Sequence, residues 1–251
     1  MIEMNEKNAN AMFEMLHSFH MLVLEREPHI KAYKKARKLH AEILGNMIAY
    51  YQSGQFKLKI DAAAYQMYGG NSKNKKKNIR MNADFDLETN TGEQAFVEFV
   101  VYKHAPALNC ITENFIIKNR YKKPEKLEFL QSMLDSSVGL FKVTGVEIDE
   151  AYVFLEEVFT GARYKITDIA LSESQNYEKN YIYTRIITYR GMSFSTGLSI
   201  VFDKNDNFIK DFIVREKNDY KPFGELARFI ELYNQYKSDP NSVKVMKNTM
   251  I

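Results

Sequence analysis

The chain has 251 residues, 45% hydrophobic and 13% aromatic, enough apolar material for a sizeable core, which excludes a wholly disordered chain. Its single cysteine, Cys110, excludes an intramolecular disulfide and a cysteine-based zinc site, and no apolar run approaches the ~18 residues that span a bilayer. The net charge of +3 hides an uneven distribution: residues 26–80 carry 13 Lys and Arg against three acids, whereas residues 81–251 carry 21 against 25.

Met12, Met15, Leu16, Phe19, Leu22 and Val23 fall on one stripe at helical spacing and predict a first helix over about residues 6–24. Pro28 fixes φ for a new start. A second helix is expected over 29–51, with Ile30, Tyr33, Leu39, Ile43, Met47 and Tyr50 on its buried side, and the two read as an antiparallel hairpin. After Gly54, the alternating FKLKIDA predicts a short strand, and Gly69-Gly70 opens a polar loop, NSKNKKKNIR. Helical patterning resumes over 93–103, 111–120 and 124–134, where Pro124 suits a first helical position.

From Val138 the texture changes to short apolar stretches, GLFKVTGVEI, YVFLEEVF, RYKITDIALS, YIYTRIITY, SFSTGLSIVF and FIKDFIV, which predict six strands. The separators Asp149-Glu150, Thr160-Gly161, Arg190-Gly191 and Lys204–Asn207 are short enough for hairpins, so an antiparallel meander is expected. Phe194, Thr196, Leu198, Ile200 and Phe202 alternate with Ser195, Gly197 and Ser199, predicting a strand that covers the core on one face only. Gly145 and Gly197 inside strands suit the bulges of a small, strongly bent barrel. Phe223, Leu226, Ala227, Phe229, Ile230, Leu232 and Tyr233 form an amphipathic helix after Pro222, and the tail from Ser238 reads as frayed.

These elements give an α+β fold: a helical hairpin (1–55), a mixed segment with the basic loop and further helices (56–136), a β-rich domain forming a small barrel or curled sheet (137–216), and a C-terminal helix and tail (217–251). The stretches AFVEFVVYKH, ITENFI, LDSSVGLFKV, FLEEVFTGARYKITDIALS and YIYTRII, over about residues 96–202, resemble uncharacterised bacterial proteins, some of which carry a cysteine-rich SEC-C motif. Val138 to Ser172 is the most specific part. With Cys110 alone the SEC-C motif is absent, so the resemblance implies a fold and supplies no activity.

The strongest candidate site is basic. Lys31, Lys34, Lys35 and Lys38 lie at i, i+3, i+4 and i+7 along one helical face, and Lys73, Lys75, Lys76, Lys77 and Arg80 form a second cluster in the loop. Like charges at this spacing repel, and a polyanion relieves the repulsion while releasing its own counterions, so nucleic acid or another polyanion is the expected partner. Lysine dominates over arginine, which predicts backbone-directed binding with little sequence preference. Tyr152, Tyr164, Tyr181, Tyr183 and Tyr189 are candidates for base stacking, or for cross-strand pairs that hold the sheet.

Other constellations carry less. His17 and His20 sit three apart without the HExxH arrangement of a hydrolytic zinc site, and Cys110 reads as a buried small residue. Asp84, Asp86 and Glu88 alternate in MNADFDLET, a loose match to nuclease metal ligands. No P-loop, dinucleotide fingerprint or GxSxG motif occurs, and no catalytic residue, metal site or cofactor is predicted. The N-terminal stretch lacks a basic n-region and a small-residue cleavage site, which points to a cytoplasmic, non-membrane protein. The reading is a binding or adaptor protein, not an enzyme, with a protein-interaction module and a metal-dependent hydrolase or nuclease as alternatives.

Overall fold

A computed structural model describes residues 14–15, 17–18, 20–52, 94–95, 98, 101–102, 110–117, 123–174, 177–218, 224–238 and 243–245. Pro28 opens α1 (Pro28–Gln52); the N–H that proline lacks has no intrahelical partner at a helix start. Ile30, Tyr33, Ala36, His40, Ile43 and Met47 recur at three- and four-residue intervals and are all buried, so one face of α1 packs inward. Residues 20–24 just before it are helical, and α2 (Ile111–Ile117) and α3 (Pro124–Leu134) appear where the sequence predicts helices. The predicted FKLKIDA strand and lysine-rich loop lie outside the described residues.

The β-rich half contains β1 (Ser137–Glu147), β2 (Tyr152–Glu157), β3 (Arg163–Thr167), a single helical turn α4 (Ile169–Ser172), β4 (Asn180–Tyr189) and β5 (Met192–Asp203). It continues into α5 (Asn207–Asn218), α6 (Gly224–Ser238) and β6 (Val243–Val245). β1, β2 and β3 form an antiparallel meander, β4 returns to the free side of β1, and β5 pairs with β4. A parallel pairing of Ile166 with Ser193 joins β3 to β5 and closes five strands into a barrel. Beyond that one pair, Ser195 Oγ donates to the Asp168 carboxylate, and Asp168 also accepts the Leu171 N–H at 3.0 Å, capping α4. One buried side chain thus fastens the closure and starts the connection to β4.

Two corrections concern the last strands. FIKDFIV is part of α5, because Phe208, Ile209, Phe212 and Ile213 repeat at helical spacing and Asp206 caps the helix by accepting the Phe208 N–H at 2.7 Å. The tail supplies the sixth strand instead: β6 pairs with Ile200–Phe202 of β5. Furthermore, β5 is buried on both faces. Phe194, Leu198, Ile200 and Phe202 face the helices, while Ser195 and Ser199 face a lumen filled by Phe141, Val143, Val153, Leu155, Ile166, Ile182, Ile186 and Val201. Small hydroxyl residues fit there because the lumen is narrow, and Thr184 Oγ1 satisfies itself on the Leu198 carbonyl at 2.9 Å. The register shifts at Val143/Gly145 and at Thr184/Ile186 fall beside Gly145 and Gly197, as the barrel reading expects.

The outer face of β4 carries Arg185, completely buried, whose guanidinium ties together four segments. Its Nε donates to Glu98 at 2.6 Å, Nη1 to the Ser136 carbonyl and hydroxyl at 3.1 and 3.0 Å, and Nη2 to Glu225 at 3.2 Å, with the Tyr102 ring 4.3 Å away. Burial alone would lower the Arg185 pKa, but the Glu98 and Glu225 carboxylates reverse this and raise it, so the group stays charged. It is a structural centre closed to solvent.

Gly139 on β1 has a distinct constraint. A Cβ there would stand 3.0 Å from Glu157 Cγ, and Glu157 cannot retreat because its carboxylate accepts the Phe159 and Thr160 N–H groups of the β2–β3 turn at 2.9 and 2.6 Å. Gly139→Ala is expected to lower stability by about 1–3 kcal/mol in urea unfolding, through overpacking.

Candidate binding face

Alternation along β2 sends Val153 and Leu155 into the lumen and Tyr152, Phe154 and Glu156 outward. The register sets these outward residues beside Lys142, Gly145 and Glu147 on β1 and beside Arg163 and Lys165 on β3. The bulge at Val143/Gly145 bends β1 at this point, and Thr144 Oγ1 donates to the Phe154 carbonyl at 3.2 Å. The result is an open cavity of about 490 Å³ lined by Thr144, Gly145, Phe154, Leu155, Glu156, Arg163, Tyr164 and Lys165. The opposite wall of the barrel, the outer face of β4 and β5, lies under the helices.

Three cations and two carboxylates share this face. Glu156 accepts from Lys142 at 2.5 Å and from Arg163 at 3.2 Å, and Lys165 approaches Glu147 at 3.9 Å. The Lys142 hydrogen bond, with help from Arg163, holds the Glu156 carboxyl below the usual carboxylate range. Arg163 is 84% exposed, so its guanidinium remains open to a ligand on most of its edge.

The aromatic residues sort into different roles. Tyr152 is covered on both sides: His29 stacks on it at 4.8 Å and 22°, and Lys165 Nζ stands 3.5 Å from its ring centre. Burial, then Glu150, Glu147 and Glu27, raise its pKa. Tyr164 packs edge-on against Phe141 at 5.6 Å, Tyr183 and Tyr189 are buried, and Tyr181 is half-buried with Lys204 Nζ 5.4 Å from its ring. Phe154, half-buried, lines the cavity together with Tyr164, and Lys165 Nζ stands 5.6 Å from its ring centre. Phe154 was not singled out from the sequence, although the alternation Tyr152-Val153-Phe154 carried the signal.

Over residues 27–245 the sequence matches a family described as a family of unknown function (DUF7986). The chain belongs to this family. The DUF7986 region takes in α1, the barrel and the helices after it, and extends well beyond the resemblance read over 96–202. No curated protein and no solved structure matches the chain.

On this DUF7986 chain the helix lysines do not behave alike. Lys31 and Lys38 are exposed, whereas Lys34 pairs with Glu25 at 2.5 Å and Lys35 with Glu125 at 3.0 Å. Arg37 turns inward and donates to the Ser195 carbonyl at 2.9 Å. Lys73, Lys75, Lys76, Lys77 and Arg80, together with Asp84, Asp86 and Glu88, lie outside the described residues. His17 and His20 meet different partners, Glu173 at 3.2 Å and Asp149 at 3.9 Å, so they do not converge on one ion. Cys110 is buried, as its type predicts. Among the described residues no helix is long and apolar enough to cross a membrane.

Proposed function

We propose that the protein binds single-stranded nucleic acid on the outer face of β1, β2 and β3, with Phe154 stacking a base and Arg163, Lys165 and Lys142 taking the phosphates. The observation that supports this most directly is the cavity itself, where an available ring and two cationic side chains line one open surface on the barrel wall opposite the helices. Stacking on a ring tolerates any base, and cations track the backbone, so the expected preference is for strand form over sequence. By fold-level analogy, a five-stranded barrel closed by its third and fifth strands matches small oligonucleotide-binding barrels, which bind on the face of their second and third strands. The lysines singled out from the sequence, Lys31, Lys34, Lys35 and Lys38 with Lys73, Lys75, Lys76, Lys77 and Arg80, are proposed to add backbone-directed affinity.

Fluorescence anisotropy with labelled oligo-dT and oligo-U tests this. Phe154→Ala is expected to weaken binding by about 5- to 150-fold, the worth of one stacked base. Arg163→Gln is expected to weaken it uniformly and to reduce the slope of log K against log salt by about 1. Absence of binding at low salt, or binding indifferent to Phe154→Ala, removes the proposal.

A second reading, docking of a protein, rests on Met15, Leu22 and Val23, which are exposed at i, i+7 and i+8 along one helical stripe. Deleting residues 1–24 separates the two: loss of a pulled-down partner with oligonucleotide binding intact favours docking.

A further inference from the structure

At the turn between β1 and β2, three potential metal ligands from two distant parts of the chain meet. Glu27 stands immediately before Pro28, His29 is the second residue of α1, and Glu150 ends the turn ahead of Ala151, which takes φ of 51°. One donor atom from each lies within 4.8 Å of the other two. His29 Nε2 is 2.9 Å from the Glu150 carbonyl oxygen and 3.7 Å from its Oε2, and the imidazole is oriented by its stack on Tyr152. Among the described residues, no Lys or Arg pairs with Glu27 or Glu150. Two carboxylates held this close therefore repel, with the imidazole as the group that faces them.

We infer that Glu27, His29 and Glu150 form a binding site for a divalent transition-metal ion such as Zn2+. One imidazole and two carboxylates are a borderline-to-hard donor set suited to such an ion, and three protein donors leave a position for water or an added ligand. Capture draws the donors from within 4.8 Å to the about 3.3 Å spacing around a tetrahedral ion, and exchanges the His29–Glu150 hydrogen bond for coordination. The Glu150 side chain is half exposed and sits on a turn, so this contraction leaves the barrel ladder in place. The bound ion would fasten the start of α1 to the barrel, next to Tyr152 and hence beside the face bearing Phe154 and Lys165.

The test is calorimetric titration of the full chain with Zn2+, with the melting temperature followed in parallel. One equivalent is expected to bind and raise the melting temperature, and Glu150→Gln and His29→Gln are each expected to weaken binding by about 10- to 100-fold. The Glu150 side chain is 50% exposed and that of His29 21%, and an unchanged apo melting temperature verifies that each variant folds. With Co2+ as a second probe, visible d–d bands are expected for the wild type and not for His29→Gln. Failure of the wild type to bind Zn2+, or binding that survives both substitutions undiminished, overturns the site. The readout involves no oligonucleotide, so it stands or falls apart from the nucleic-acid proposal.

Discussion

Replacing Arg185 with alanine is expected to lower the free energy of unfolding by about 3–5 kcal/mol, a large fraction of the stability of an ordinary protein. The loss comes less from the missing attraction than from what remains. Glu98 is 3% exposed and would lose the guanidinium that faces it at 2.6 Å, leaving a desolvated carboxyl group without its counter-charge. The Ser136 carbonyl and hydroxyl lose their donor as well. Substituting both charges together, Arg185→Met with Glu98→Leu, is expected to recover most of the loss, because a packed apolar pair leaves no buried charge behind. Urea unfolding of the two single variants and the double variant gives the coupling energy. A double variant as unstable as the sum of the singles would mean that the two side chains act independently.

A pH titration is expected to show a second large effect, centred on His40. The imidazole is buried against Phe129 and Phe194, with Nε2 2.8 Å from the Tyr102 hydroxyl. Burial, reinforced by the Arg37 charge, pushes its pKa down to about 3. Unfolding returns the side chain to an ordinary value of about 6.5, so between these two pH values the unfolded chain binds the extra proton. Stability from this group is therefore intact above pH ~6.5 and falls by about 1.4 kcal/mol per unit as the medium is acidified towards pH 3. Carboxylates lowered by their partners, Glu42, Glu125, Glu128 and Glu156, add their own losses nearer their ordinary range. The interval from about pH 5.5 to 6.5 thus isolates the histidine. His40→Gln is expected to flatten the curve there, and a variant curve parallel to the wild type's would show that His40 does not govern it.

Period carried much of the fold. The buried positions of α1 repeat at three and four residues, and Pro28 and Pro124 mark two helix starts in sequence as in space. Arg190-Gly191 sits at φ of 51° and 77° between paired Tyr189 and Met192, the two-residue turn that its glycine announces. What sequence could not supply was pairing at a distance. The return of β4 to β1 and the closure of β3 on β5 depend on contacts between residues dozens of positions apart, for which hairpin length is no guide. FIKDFIV misled because aromatic and β-branched residues suit strands, whereas its period and the Asp206 cap both favour a helix. The candidate face was only half legible: Tyr152 belonged to the tyrosines weighed, but its stack with His29 is a tertiary event. Phe154 became distinctive only once β2 had a known outward side. Arg185 gave no signal at all, since a charge inside YIYTRIITY reads as a solvent-facing strand residue until the helices are packed over it.

The edge of β5 is shared. Near Ser193 it is taken by β3, and at Ile200–Phe202 it is taken by β6, a strand of three residues that arrives only after two further helices. A chain released before Val243, by a premature stop or by proteolytic trimming, would keep the barrel closure yet bare several backbone donors and acceptors along β5. Such a species offers a template for intermolecular strand addition, which makes residues 243–245 a safeguard against self-association out of proportion to their number.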